Sequence, residues 1–247
     1  AFSCGHDRDH VLLASGMIMR PKFYAKKTIN RAEERKKLGL DPTKTTGIVL
    51  FGGHGSSTIL NIAKCLNAGK ANLQLILMCG KNQKLLAAAQ KLKTRFAIHA
   101  VGFTQDVDYY MALSDFFIGK PGPGSISEAL QFNLPVIVEC NGRTLPQERY
   151  NAQWITEKKL GVVLTSFNKI DDGVEKLLLP TAFAEYRANA SAYKNNALYE
   201  IPEFLEQVAA HRSANASGSP LPVEGKPALQ RAAGASLMSG LQLDWGT

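Results

Sequence analysis

From Gly47 onward the chain alternates short, mostly apolar runs with longer stretches whose apolar residues recur every three or four positions. The runs are GIVLFGG (47–53), LQLILMCG (73–80), AIHAVGF (97–103), DFFIG (115–119), PVIVE (135–139) and GVVLT (161–165). Each is too short for a buried helix and lacks polar alternation, which predicts six strands covered on both faces. Between the first two, Ile59, Ile62, Ala63 and Leu66 fall on one helical face, with Ser56 or Ser57 placed to cap it. A Lys/Ala/Leu-rich helix is predicted before residue 97, others from Ser125 and from Gln147 through Trp154, and three more over 170–179, 183–195 and 201–208. Strands separated by amphipathic helices predict an α/β fold with a Rossmann-like, doubly wound parallel sheet. Ligands of such sheets bind beyond the carboxyl ends of the strands, and every glycine-rich segment of this chain falls there.

The ends differ from this middle. Ser15 to Pro21 reads as an extended strand closed by proline. Lys22, Lys26, Lys27, Arg31, Arg35, Lys36 and Lys37 then make a basic helical run stopped near Asp41-Pro42. That run is either a solvated face or a contact for anionic lipid headgroups. Beyond His211 the composition turns to Ser, Ala, Gly and Pro, too little apolar area to offset ordering, so 212–247 is expected to be a disordered tail. The division expected is therefore 1–24 as a linker or strand remnant, 25–211 as the α/β domain, and 212–247 as the tail.

Composition narrows the class only slightly. The 247 residues are 45% hydrophobic and 20% charged, with no apolar run of membrane-spanning length and no signal-peptide pattern. Cys4, Cys65, Cys79 and Cys140 lack CxxC spacing and read as reduced, in a cytoplasmic setting. Cys4, His6 and His10 could be imagined on a metal, but no second pair completes a ligand set, so no metal is expected. A formal charge of +8 admits nucleic acid, anionic lipid or a phosphorylated substrate and decides among none of them.

The chemistry concentrates in GKPGPGSISEALQFNLPVIVECNGRTLPQERYN, from Gly119 to Asn151. Gly122, Pro123 and Gly124 lead into a helix at Ser125 without bulky side chains, so free amides and the helix dipole can hold a diphosphate. Glu128, a turn further in, is a pure acceptor suited to a pair of ribose hydroxyls and unsuited to phosphate. Gln147 and Glu148 are suited to sugar hydroxyls. Gly52-Gly53-His54-Gly55 follows a strand, but GxGxxG is absent and the next strand ends Met78-Cys79-Gly80 with no acid, which argues against NAD. Lys120 precedes proline and not Ser or Thr, so a Walker A loop is absent too.

Taken together, GPGS-x2-E (122–128), LPVIV (134–138), PQERYNA (146–152), SGMIMRP (15–21), LFGGHG (50–55) and MCGKNQ (78–83) resemble the C-terminal, donor-binding domain of glycosyltransferase family 28, nearest its monogalactosyldiacylglycerol synthase-like members. The likeness runs from about Ser15 to about Ala210. It implies the C-terminal half of a GT-B glycosyltransferase, with 25–211 binding a nucleotide sugar. It implies a UDP-sugar hexosyltransferase that transfers by inversion to a lipid acceptor such as diacylglycerol, without a cofactor and without nucleic acid as partner. Phe103 and Thr104 would form the uracil slot, and Gly52, Gly53, His54 and Gly55 would approach the diphosphate or the acceptor opposite Gly122, Pro123, Gly124 and Ser125. The catalytic base is expected on an acceptor-binding N-terminal domain, supplied in cis or by a partner chain, so that this chain alone is expected to bind donor and transfer nothing. The implied location is cytoplasmic, peripheral to an anionic membrane. The alternatives are a non-catalytic nucleotide-sugar-binding module, the donor subunit of a two-chain enzyme, and a generic Rossmann-like nucleotide binder.

Overall fold

The computed structural model describes Gly5 and residues 11–25 and 28–215. Contacts divide the chain into two units, Leu13–Leu205 and the pair of end segments 1–12 and 206–247, and the sheet belongs to the first. Its strands are β1 (Thr46–Leu50), β2 (Gln74–Gly80), β3 (Ile98–Gly102), β4 (Phe116–Gly119), β5 (Val136–Glu139) and β6 (Gly161–Leu164). They are all parallel, in the order β3-β2-β1-β4-β5-β6. The six apolar runs thus become the six strands, trimmed at their ends. The chain leaves β1 in one direction and β4 in the other, which opens a crevice between the loops that follow these two strands.

Helices cover both faces. They are α1 (Arg31–Lys37), α2 (Thr58–Ala68), α3 (Gln83–Gln90), α4 (Val107–Ala112), α5 (Pro123–Gln131), α6 (Pro146–Glu157), α7 (Ile170–Leu178), α8 (Pro180–Ala192) and α9 (Ala197–Asn215). On one face Ile48, Ile76, Phe117 and Val138 meet Ile126, Ala129 and Leu130 of α5 and Ala152 and Ile155 of α6. On the other, Val49, Leu77, Ile118 and Ile137 meet Ile59, Ile62 and Leu66 of α2 and Ile170, Val174 and Leu177 of α7. Neighbouring residues of one strand alternate between two dry layers, which is why the strand runs are mostly apolar. The α2 stripe is the one read from the sequence, and the Ser56 hydroxyl accepts the Thr58 amide at its start.

Two expectations fail at the N-terminal side. Ser15–Arg20 belongs to no strand, with a bend at Ser15-Gly16 and extended backbone at Arg20, and Pro21–Phe23 forms a 3-10 turn. Its backbone groups are taken by side chains around the α8–α9 junction: the Tyr193 hydroxyl donates to the Ser15 carbonyl and the Asn195 amide to the Met17 carbonyl, each at 2.9 Å, and the Ser15 amide donates to Glu200 at 2.7 Å. The basic run is not one exposed helix either. Helix α1 starts only at Arg31, where Asn30 accepts the Glu33 amide, and Arg35 is buried. Arg31 and Arg35 grip the two oxygens of Asp115, each at 2.7 Å, and Lys22 pairs with buried Asp108 at 2.7 Å.

The expected tail begins inside α9, which runs to Asn215, and 216–247 lie outside the described residues, as do Cys4, His6, His10, Lys26 and Lys27. Among the described residues no three His, Cys, Asp or Glu side chains gather as metal ligands, and no helix is long and apolar enough to cross a membrane. Cys65, Cys79 and Cys140 are unbridged.

Candidate donor-binding site

A cleft of about 620 Å3 opens at the carboxyl ends of β1, β2, β3 and β4. One wall is the loop Lys120–Gly122 and the first turns of α5. Gly122 is the N-cap residue, Pro123 follows where no amide hydrogen is needed, and no side chain caps the turn. The amides of Gly124 and Ser125 therefore keep the orphan-donor character of a helix start, beside a backbone with open space at Gly124. The Ser125 hydroxyl turns back to the Gly122 carbonyl at 3.3 Å. Asn151 of α6 donates to the Pro121 carbonyl at 2.8 Å and ties the loop to the helix that follows β5.

Glu128 lies deeper along α5, on the cleft side. Burial pushes its carboxyl up to about 7, against the opposing pull of the Arg20 and Lys22 charges. It accepts no hydrogen bond from any described residue, so both oxygens remain available for donors brought by a ligand. Glu148, on the first turn of α6, is buried, and its carboxylate meets the Lys120 ammonium at 3.1 Å.

The opposite wall and floor come from the loops after β1, β2 and β3. Gly52 and Gly53 line the cleft from one side, with Gly80 and Gly102 beneath. Gly55 serves the packing under this wall: it has φ +70°, and a Cβ there would stand 2.2 Å from the Cys79 carbonyl oxygen. Gly80 is equally constrained, with φ +59° and a Cβ position 2.4 Å from the Gly53 carbonyl oxygen. Phe103 is half exposed at the rim, not packed in the core, with the Lys81 ammonium 5.0 Å from its ring centre. Thr104 lines the same end, where its hydroxyl accepts the Asp106 amide.

The structure thus gathers Gly52, Gly53, Phe103, Thr104, Gly122, Pro123, Gly124, Ser125, Glu128 and Glu148 around one space. His54, Gly55 and Gln147 do not line it: His54 sits on an exposed turn and Gln147 on the outer side of α6. Sequence reasoning missed Arg20, Gln105 and Met17, which also line the cleft, and considered Lys120 only as a would-be P-loop lysine. The signal for Lys120 was its place immediately before the glycine turn.

An all-parallel sheet in this order, with an uncapped helix start at its switch point, is the Rossmann-like architecture that the C-terminal half of a GT-B glycosyltransferase has. Solved structures share the architecture. WaaG, a glycosyltransferase involved in lipopolysaccharide biosynthesis, superposes with a TM-score of 0.56 at 20% identity, covering 82% of this chain and 55% of its own. MurG of Acinetobacter baumannii gives 0.57 at 14% identity, covering 72% and 53%. Residues 48–207 match the glycosyltransferase family 28 C-terminal domain, and the chain belongs to that family. Among curated relatives, the chloroplastic monogalactosyldiacylglycerol synthase of Spinacia oleracea is 28% identical over 203 residues, which is 78% of this chain and 38% of that protein. Monogalactosyldiacylglycerol synthase 1 of Arabidopsis thaliana is 30% identical over 170 residues, 66% and 31%. The chain thus spans less than two thirds of the length of these relatives.

Proposed function

We propose that this chain binds the donor of a UDP-sugar hexosyltransferase that glycosylates a lipid acceptor such as diacylglycerol. The observation that carries the reading is the pairing of two unlike groups on one helix: uncapped amides at Gly124 and Ser125 and, further along α5, the unengaged carboxylate of Glu128. Amides and dipole favour phosphate, and a carboxylate repels it. A ligand that satisfies both must be anionic at one point and rich in hydroxyls a few ångströms away, as a nucleoside diphosphate is. Phe103, half exposed in the cleft lining, would offer an aromatic face to the base, and Glu148, beside the Gly122 turn, would meet the hydroxyls of the sugar that follows the diphosphate. The amides at 124 and 125 would also stabilise the diphosphate as it leaves, without a divalent ion.

The lipid acceptor rests on the curated relatives, whose names describe synthases of a galactolipid. Inversion at the anomeric carbon and peripheral membrane attachment rest on the family resemblance. Saturation-transfer NMR of the purified chain against UDP, UDP-galactose, UDP-glucose and UDP-N-acetylglucosamine tests the donor. Glu128→Ala should weaken UDP by about 1.5–3 kcal/mol, the range for hydrogen bonds to a charged group, and melt no lower than the parent. UDP affinity unchanged in that variant would remove the ribose role.

A further inference from the structure

Three groups converge on the turn at Gly122. A Cβ placed there would lie 3.4 Å from Lys120 Cε, 3.5 Å from Glu148 Oε1 and 3.6 Å from Ser125 Oγ. The Glu148 carboxylate therefore hangs over the same few ångströms of backbone at which the helix start would receive an anion. A carboxylate and a diphosphate cannot both occupy that neighbourhood without a cation between them. Lys120 is that cation, and its ammonium is at present committed to Glu148 at 3.1 Å. The two partners differ in freedom. The Lys120 side chain is 50% exposed on a flexible stem, whereas that of Glu148 is 11% exposed and carried on a helix pinned to the loop through Asn151 and Pro121. If one of them moves, it is the lysine. The pair also stands in the shared wall between the main cleft and a side cavity of about 270 Å3 lined by Thr58, Asn141, Arg143 and Thr144.

Resting on the donor reading above, we infer that Lys120 exchanges partners on binding: it holds Glu148 in the empty site, moves to the diphosphate when the nucleotide enters, and thereby releases the Glu148 carboxylate to the hydroxyls of the sugar. Sugar recognition is then conditional on the diphosphate. A carboxylate engaged with an ammonium is a poor acceptor for hydroxyls, and the same carboxylate freed in a confined space is a strong one. A diphosphate carries more charge than a carboxylate, so the exchange runs in the required direction. The cost of the arrangement falls on UDP itself, which must break the resting pair and has no sugar with which to use the freed group.

The test is a double-mutant cycle read by calorimetric titration of UDP and of UDP-glucose. Glu148→Gln leaves Lys120 uncommitted, so UDP should bind about two- to fivefold more tightly, the range for a part-exposed ion pair. The preference for UDP-glucose over UDP should shrink in the same variant. In a Lys120→Met background the Glu148 carboxylate faces the diphosphate with no cation between them, so Glu148→Gln should tighten UDP by more than it does in the parent. An equal gain in both backgrounds would mean that Lys120 does not mediate between the carboxylate and the diphosphate, and the exchange would be wrong. Weaker UDP binding by Glu148→Gln in the parent background would also overturn it. Should Glu148→Gln fail to fold, Glu148→Asp serves, since it keeps the charge but shortens the reach to Lys120, and it should likewise tighten UDP. Failure of the parent chain to bind UDP at all would instead remove the donor reading, and this inference with it.

Discussion

Arg35 and Asp115, eighty residues apart, meet at 2.7 Å beneath the sheet, and the same carboxylate oxygen accepts the Thr46 amide at 2.8 Å. Arg35 also donates twice to the Leu113 carbonyl and once each to those of Pro42 and Lys44. One guanidinium thus closes the loops that enter β1 and β4, the two strands that flank the cleft. Arg35→Met should cost about 3–5 kcal/mol, because it strands carbonyls and part of a carboxylate that water reaches poorly. Chemical denaturation measures this, and a loss below 1 kcal/mol would show that the network is incidental.

The carboxyl of Glu128 titrates near 7 in the folded chain and near 4.5 when unfolded. The folded state holds the proton more tightly, so the stabilising contribution is complete below pH 4.5 and is lost as pH rises through 7. Glu128→Gln lacks this dependence. Its melting temperature should match the parent at pH 4.5 and exceed it at pH 8. Binding runs the other way, since ribose hydroxyls need the ionised form as acceptor. Uridine, which has no phosphate to titrate, should bind the parent more tightly at pH 8 than at pH 5.5, with proton release in calorimetry that Glu128→Gln lacks. A flat profile in the parent would detach Glu128 from the ribose.

Gly124 and Gly55 separate ligand from scaffold. A side chain at Gly124 meets nothing within 4 Å, so Gly124→Val should fold normally while harming UDP far more than uridine. Gly55→Ala meets the Cys79 carbonyl from a left-handed backbone, and should lower stability by at least about 2 kcal/mol. Thermal melts alongside both titrations distinguish the two. Equal losses of UDP and uridine in Gly124→Val would indicate distortion instead of a blocked anion site.

Phe103 should behave as a stacking platform. Because its ring is 54% exposed, Phe103→Ala should leave the melting temperature in place. It should weaken uridine and UDP alike by about 1–3 kcal/mol, the usual worth of base–aromatic stacking. Selective loss of UDP, with uridine untouched, would place the base elsewhere.

The sheet was legible because burial on both faces leaves a mark: the six runs are mostly apolar, with Gln74 and His99 the interior exceptions, and each became a strand. The turn into α5 was legible for a local reason as well, since glycine, proline and the helix that follows are neighbours in the chain. What stayed hidden depended on distant partners. Nothing near Arg31 or Arg35 announces that Asp115 will turn them inward. Ser15–Pro21 reads as a strand in the sequence, but whether a strand pairs is decided elsewhere, and here Tyr193, Asn195 and Glu200 take its backbone. Gln147 and Glu148 looked equivalent, yet successive helical residues point about 100° apart, and only Glu148 turns into the cleft.

The interlocked turns at Gly53, Gly55 and Gly80 have a consequence for how this cleft can change over time. At Gly55 and Gly80 a backbone oxygen stands where a methyl group would have to go, so these two turns tolerate almost no side chain. On the donor reading, a change of preference is easiest at the margin, at Phe103, Gln105, Lys120, Glu148 and the turn around Arg143, whose side chains border the two cavities. A lineage could trade one sugar for another there without disturbing the backbone surface proposed for the nucleotide.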